Sequence, residues 1–291
     1  MKKIKKAVLP VAGYGTRFLP ATKAIPKEML SIIDKPLIQY AVEEAITAGA
    51  EEIIFITSHT KKSIENHFSR SLELEKKLKD ENKPDLLEKL RPKSFDGIKF
   101  TYINQDTQKG LGHAVSLARE VVGNNNFSVL LPDDLFLSSP SCTEQIAQSF
   151  HEHGNSTIAV NIINKNNIHK YGVIDTNKDI KSYDDEIEIH NIVEKPSPED
   201  APSNIAVCGR YIFTPLIFDC IDNVEPDASG EIQLTDAIRI LLKQENVKAK
   251  IFKGTKYDCG SKQGYVEATI AIGMKDQEIS DNIKKIFRDL S

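Results

Sequence analysis

Val8-Leu-Pro-Val-Ala-Gly-Tyr-Gly-Thr-Arg-Phe-Leu-Pro-Ala-Thr-Lys-Ala-Ile-Pro-Lys-Glu-Met29 follows a short apolar run and precedes an amphipathic helix. Gly13 and Gly15 omit side chains where the backbone must turn sharply and approach a ligand, so their N–H groups can point at anionic oxygens. Arg17, Lys23 and Lys27 add positive charge on the same loop. A guanidinium holds phosphate oxygens bidentately and an ammonium acts as a movable point charge, a mixture suited to a triphosphate that loses pyrophosphate. Two familiar glycine motifs are excluded. No Gly-Lys-Ser/Thr follows as a Walker loop requires, and Phe18 stands where the dinucleotide fingerprint needs a third small residue. Asp34, at a tempting distance for a ribose carboxylate, lies in Ile33-Asp-Lys-Pro36, which reads as a turn into a helix. The plain alternative is a strand-to-helix loop with solvated charges; three cations and three prolines on one loop favour phosphate.

The chain has 291 residues, 40% hydrophobic and 27% charged, with a net charge of −4. A fold this size buries roughly three quarters of the surface its unfolded chain exposes. The negative balance argues against a nucleic-acid or anionic-membrane surface, so an anionic substrate needs a local positive cluster, and the opening loop supplies one. Cys142, Cys208, Cys220 and Cys259 form no Cys-x-x-Cys pair, which excludes a zinc ribbon or redox dithiol by pattern and fits reduced cytosolic thiols. The apolar run after the basic segment Met1–Lys6 stops at Pro10, too short for a signal sequence, and no run of eighteen apolar residues occurs. A cytoplasmic protein is expected, with no membrane and no nucleic acid among its partners.

Ala7–Val11 and Ile53–Thr57 read as buried strands around a helix at Pro36–Ala48, with Pro36 in its first turn and Gly49 at its end. That is a βαβ unit, which implies parallel pairing and ligands at the carboxyl ends of the strands. The Lys/Glu-rich stretch 61–93 reads as two surface helices broken near Pro84. Further strands are expected at Ile98–Ile103 and Phe127–Leu131, with a helix at Gly112–Val122 between them. This alternation predicts an α/β fold with a doubly wound, mostly parallel central sheet. After about residue 155 the strands become denser, at Thr157–Ile162, Val173–Thr176, Ile187–Glu194, Ile205–Phe213 and Val247–Phe252, with helices at Pro215–Ile221 and Gln233–Lys243. We therefore expect one domain over 1–291, with a first half to about 150, a mixed second half over about 151–275, and a carboxyl-terminal helix from 276. Ile279, Ile283, Ile286, Phe287 and Leu290 give that helix an apolar stripe needing cover from its own chain or a second subunit.

Outside the loop, the chemistry collects at strand ends. Gln105 can donate and accept, as the edge of a uracil ring requires, and Gly110 would let a base lie against backbone; Gly110 and Gly112 also read as loop and cap glycines. His113 reads as a helix-start residue rather than a catalyst. Asp133 and Asp134 end a buried strand, where carboxylates are unexpected unless they serve a ligand, and Asp258 stands just after another strand. Magnesium takes one or two protein carboxylates together with substrate phosphates. Asp134 also reads as a helix N-cap. In Glu194-Lys-Pro196 a carboxylate can take two sugar hydroxyls, and the lysine, if the backbone bends at the proline, can face a sugar phosphate.

Gly13-x-Gly-Thr-Arg17, Leu19-Pro-Ala-Thr-Lys-Ala-Ile-Pro-Lys-Glu-Met29 and Lys35-Pro-Leu-Ile-Gln-Tyr40 together resemble the signature of the sugar-phosphate nucleotidylyltransferase family. Tyr171-Gly-Val173, Ala206-Val-Cys-Gly-Arg-Tyr211 and Gly230-Glu-Ile-Gln-Leu-Thr-Asp236 extend the likeness over nearly the whole chain; Ser31 departs from it, where proline is expected. The resemblance implies a Rossmann-like nucleotidyltransferase fold, with a nucleotide-binding half to about 150 and a sugar-binding half over about 151–275. It implies transfer of uridylyl from UTP to α-D-glucose 1-phosphate, giving UDP-glucose and pyrophosphate, by Mg2+-assisted in-line attack without a covalent intermediate. It implies catalytic roles for Arg17, Lys27 and Lys195, and nucleotide contacts at Ala12, Gly13, Gly15, Thr16, Gln105, Gly110 and Asp134. Sugar contacts fall on Gly172, Glu194, Val207, Gly209 and Glu231, and metal ligation on Asp133 and Asp258. A homodimer or homotetramer is expected. Thymidine triphosphate or another hexose phosphate stays open as a substrate, and a catalytically silent sugar-nucleotide sensor is the competitor from another class.

Overall fold

In the computed structural model, which describes residues 4–176 and 186–290, the first half runs β1 (Lys6–Pro10), the hairpin β2 (Ser31–Ile32) and β3 (Lys35–Pro36), α1 (Leu37–Thr47), β4 (Glu52–Thr57), α2 (Lys62–Phe68), α3 (Leu72–Asp80), α4 (Pro84–Leu90), β5 (Lys99–Asn104), α5 (Gly110–Ser116), α6 (Arg119–Val122), β6 (Phe127–Leu130), β7 (Asp134–Leu137) and α7 (Cys142–His153). The second half continues with β8 (Thr157–Ile162), β9 (Gly172–Asp175), β10 (Glu186–Glu188), β11 (Asn191–Glu194), β12 (Ile205–Phe213), α8 (Leu216–Asp222), α9 (Leu234–Leu241), β13 (Lys248–Ile251), β14 (Thr255–Asp258), α10 (Lys262–Gly273) and α11 (Gln277–Leu290). Met1–Lys3 of the basic amino-terminal run lie outside the described residues.

Alternation along the central strands sets the layers. Ala7 and Leu9 of β1 and Ile53 and Phe55 of β4 pack with α1 residues Ile38, Ala41, Val42 and Ala45 on one face. Val8, Ile54 and Ile56 point the other way, into a cluster with Ala114, Val115, Phe218, Leu234 and Ile238 from α5, α8 and α9. Successive side chains of a strand face opposite sides, so near-continuous apolar runs mark strands covered on both.

The main sheet has the order β10-β13-β8-β12-β6-β1-β4-β5. β5, β4, β1 and β6 are mutually parallel; β12 runs antiparallel between β6 and β8, and β13 lies parallel to β8. β9 pairs with β12 and β11 with β9, so the sheet of the second half is mixed. From β1 the chain moves outward to β4 and β5 on one side and returns through β6 on the other. This reversal opens a crevice at the carboxyl ends of β1 and β6, where ligands collect in doubly wound sheets. The glycine loop leaves β1 there, and Asp133 follows β6.

Several details differ from the sequence expectation. The 61–93 insert forms three helices, because α2 ends at Phe68 well before the Pro84 start of α4. The helix expected over Gly112–Val122 starts at Gly110 and breaks into α5 and α6. Ile187–Glu194 bends at Ile189–His190 into two strands with different partners, β10 on β13 and β11 on β9. β7 and β14 make a separate two-stranded sheet that local periodicity does not announce. Asp134 opens β7 opposite Asp258, so it is no helix N-cap. The Ile33-Asp34 turn joins β2 to β3 and leads into α1 as expected, with φ 61 at Ile33. All four cysteines are free and buried. Ile279 and Ile283 of α11 meet α10 at Gly273, whereas Ile286 and Phe287 are more than half exposed. Among the described residues no helix is long and apolar enough to cross a membrane.

One buried ion pair clamps the strand ends. Arg210 of β12, 1% exposed, donates through Nε and Nη2 to Glu44 of α1, through Nη1 to Leu131 O at 2.8 Å and through Nη2 to Asp134 O at 2.8 Å. Removing one member strands a charge in the interior, which costs about 3–5 kcal/mol. Glu44→Ala is therefore expected to lower unfolding free energy by about that amount in urea titrations. A double variant replacing Arg210 and Glu44 by apolar residues should lose less.

Candidate active site

The Leu131-Pro-Asp-Asp134 turn sets the acidic end of the site. Asp134 N donates to Leu131 O at 3.2 Å, and Pro132 supplies the fixed φ that such a turn favours at its second position. The backbone of Asp133 is pinned from the other side by Cys259 N, which donates to its carbonyl at 2.8 Å. β14 adds two groups from one strand face: Lys256 and Asp258 are two apart and point the same way. The Nζ of Lys256 lies 2.8 Å from Asp134 Oδ1 and 4.7 Å from the centre of the Tyr171 ring.

Each of the paired acids thus has its own cation. Burial pushes the Asp133 carboxyl up, but the charge and hydrogen bond of Lys27, at 2.7 Å, outweigh it and hold the pKa below the usual carboxylate value. For Asp134 burial wins over Lys256, with Asp133 adding repulsion, and its pKa rises to about 6. Gly209 lies directly beneath: with φ 72, at a register shift in β12, it occupies a place where a Cβ would collide with Asp134 Oδ2.

Gly260 marks where three groups converge. A Cβ there would lie 3.0 Å from Asp258 Oδ1, 3.1 Å from Asp133 Oδ2 and 3.7 Å from Arg17 Nη1. Two carboxylates from separate segments therefore approach one point beside a guanidinium. That donor set is too small for a dedicated metal cage but fits a magnesium ion that shares substrate phosphates.

The glycine loop turns three successive carbonyls toward the protein. Gly15, with φ 66, turns the chain into Thr16–Phe18, where a side chain would press on Lys27 Cβ. The carbonyls of Val11 and Gly13 accept from Lys61 Nζ at 2.5 and 2.6 Å, and that of Ala12 accepts from Gln108 Nε2 at 2.6 Å. No amide of residues 12–17 finds an acceptor among the described residues. Backbone N–H groups without protein partners beside tied-back carbonyls are what an oxyanion needs.

A cleft of about 730 Å³ is lined by Arg17, Asp133, Asp134, Gly172, Glu194, Lys195, Val207, Gly209, Glu231 and Asp258. Ten residues expected at the site from sequence thus meet on one surface. The chain bends at Lys195 itself, with φ 43, rather than at Pro196, and the Nζ of Lys195 lies 2.9 Å from Glu194 Oε1. Lys27 joins through Asp133, and Gly110 packs against Glu231 and Ile232 beside the cleft. Ala12, Gly13, Gly15 and Thr16 lie on the loop leading to Arg17 and do not line the cleft. Neither does Gln105: it is 5% exposed and its carboxamide sits 2.8 Å from His113 Nδ1. Burial, aided by Lys109, lowers the pKa of His113, consistent with a packing role. Sequence reading missed Lys256 and gave no role to Tyr171 and Thr235, although both stand in stretches it singled out. Period-two spacing from Asp258 could have found Lys256, whereas Thr235, whose hydroxyl donates to Glu194 Oε2 at 2.7 Å, carries no local signal.

The chain matches the family model described as nucleotidyl transferase over residues 6–274. It is 47% identical, over 291 residues, to the UTP–glucose-1-phosphate uridylyltransferase of Staphylococcus epidermidis, covering 100% of this chain and 99% of that protein. Its structure is similar to a UDP-glucose pyrophosphorylase complexed with UDP-glucose, with a TM-score of 0.85 and 44% identity over 94% of this chain and 99% of the other. It is also similar to a UTP-bound UGPase from Acinetobacter baumannii, with a TM-score of 0.90 and 39% identity over 99% and 100% of the two chains.

The raised pKa of Asp134 has a signed consequence. A carboxyl whose folded pKa lies above its unfolded value contributes stability below the unfolded pKa and loses it as pH rises through the folded one. The stability of the wild type relative to Asp134→Asn should therefore fall by up to about 3 kcal/mol between pH 4 and 7. Denaturant unfolding of both proteins across that range checks it; a difference independent of pH would contradict the assignment.

Proposed function

The chain belongs to the nucleotidyl transferase family, and from that premise we propose that it transfers uridylyl from UTP to α-D-glucose 1-phosphate, releasing pyrophosphate and forming UDP-glucose. The observation that carries this reading is the meeting of Arg17, Asp133, Glu194, Lys195 and Asp258 on a single cleft. The names of the similar proteins support the choice of UTP and glucose 1-phosphate.

A phosphate oxygen of glucose 1-phosphate attacks the α-phosphorus of UTP while the bond to the bridging oxygen breaks and pyrophosphate leaves. This exchange needs no protein nucleophile; the hydroxyls of Thr235 and Ser261 at the cleft are occupied, with Glu194 and with the backbone of Asp258. The protein's task is to hold two anions together in line and to neutralise charge. Glu194 accepts from sugar hydroxyls, with Thr235 fixing its carboxylate, and Lys195 holds the sugar phosphate. The loop amides, Arg17 and Lys27 receive the charge that accumulates on the departing pyrophosphate. Asp133 and Asp258 would hold Mg2+. When bound, the ion supplies charge neutralisation at the phosphates. Lys27 serves that end as well, because it keeps Asp133 ionised at neutral pH.

Lys195→Ala should lower turnover about a hundredfold, as loss of one transition-state donor does, while leaving UTP affinity nearly intact. Asp133→Asn should abolish Mg2+-dependent turnover; an active variant that still responds to the metal would remove Asp133 from the site. Pyrophosphate release measured with a panel of nucleotides against glucose 1-phosphate tests the function itself. UTP should be the preferred substrate, and no release with any nucleotide would leave the sensor reading instead.

A further inference from the structure

Lys61 lies outside the cleft and is one of the few lysines here with a buried head group: its side chain is 8% exposed, and it follows β4 at the start of α2. An ammonium carries three protons, and here all three have protein acceptors: Val11 O at 2.5 Å, Gly13 O at 2.6 Å and Glu28 Oε2 at 2.9 Å. No donor is left for a ligand, so Lys61 does not bind phosphate itself. Glu28 in turn is 1% exposed and sits in the short turn Lys27–Met29, next to the lysine that grips Asp133. One side chain thus ties the loop that follows β1 to the turn that carries Lys27.

We propose that Lys61 is a positioning residue for the nucleotide. It draws the carbonyls of Val11 and Gly13 to the rear so that the N–H groups of Ala12 and Tyr14, which share their peptide planes, face the phosphates, and through Glu28 it sets Lys27 against Asp133. Peptide planes are rigid, so turning a carbonyl inward turns the neighbouring N–H outward. Replacing Lys61 leaves the carbonyls of Val11 and Gly13 and the Glu28 carboxylate without their donor, and the loop then loses the arrangement in which its amides are presented together. The sugar half of the cleft, built from β9, β11 and β12, does not touch Lys61 and should be spared.

This inference rests on the reading that the loop holds UTP. The test compares UTP binding by calorimetry, and initial rates with UTP and with glucose 1-phosphate varied in turn, for the wild type, Lys61→Met and Lys61→Arg. Folding of each is checked by near-ultraviolet circular dichroism. In Lys61→Met both Kd and KM for UTP should rise about tenfold or more, while KM for glucose 1-phosphate stays within about twofold. A folded Lys61→Met with wild-type UTP affinity, or with equal losses toward both substrates, overturns the proposal. If Lys61→Met does not fold, Lys61→Arg decides. It keeps the charge but offers a planar fork in place of three divergent donors, so UTP should weaken about threefold or more, and an unchanged UTP KM in the folded protein overturns the proposal. Failure of the wild type to bind UTP would instead sink the function reading, and this inference with it.

Discussion

Two adjacent carboxyl groups, Asp133 and Asp134, stand half-buried at the wall of the cleft just after the central strand β6, and a separate cation meets each. Withdrawing a carboxylate from water, even in part, costs free energy unless a cation or hydrogen bonds offset it. The chain meets it from both ends of its sequence: Lys27 comes from the loop after β1, and Lys256 from β14, more than two hundred residues later. This pairing brings the glycine loop, the turn after β6 and the β14–α10 segment to one point. The outcome for the two acids is unequal: Lys27 holds the pKa of Asp133 below the usual carboxylate value, whereas burial raises that of Asp134 to about 6.

The fold supplies the stiffness this arrangement requires. The strand order reverses between β1 and β6, so loops from both emerge side by side at the same edge of the sheet. Behind them Arg210 holds the carbonyls of Leu131 and Asp134 and is itself held by Glu44 of α1. Thr143 donates to the same carboxylate at 2.6 Å and brings α7 into the clamp. Lys61 plays the corresponding part behind the glycine loop. Both buried cations act through backbone carbonyls, setting the direction of peptide groups rather than touching a ligand. A site whose work is positioning and charge neutralisation gains more from such supports than from additional groups in the cleft.

The first half was largely legible in the sequence because its signals are local. The βαβ unit follows from apolar runs, Pro36 and Gly49, and the loop follows from its glycines and cations. Asp133 stood out as a carboxylate at the end of an apolar strand. The illegible features depend on distant partners or compete with a stronger local cue. β7 and β14 are four residues each and pair across more than a hundred positions, so neither shows a decisive pattern. Ile187–Glu194 is apolar enough for one strand, yet its two ends find different neighbours. Lys61 sits in a lysine- and glutamate-rich stretch where solvation is the ordinary reading, and only the loop packed against it shows otherwise. α7 does carry a signal, the capping box Ser141-Cys-Thr-Glu144, which apolar periodicity alone passes over.

A crystal structure grown with UDP-glucose and Mn2+, with the metal located by its anomalous signal, addresses the convergence of these groups most directly. The account predicts a metal peak between Asp133 and Asp258, the diphosphate between the glycine loop and Lys195, and the hexose against Glu194. A metal bound away from both aspartates, or a diphosphate turned away from the glycine loop, would contradict it.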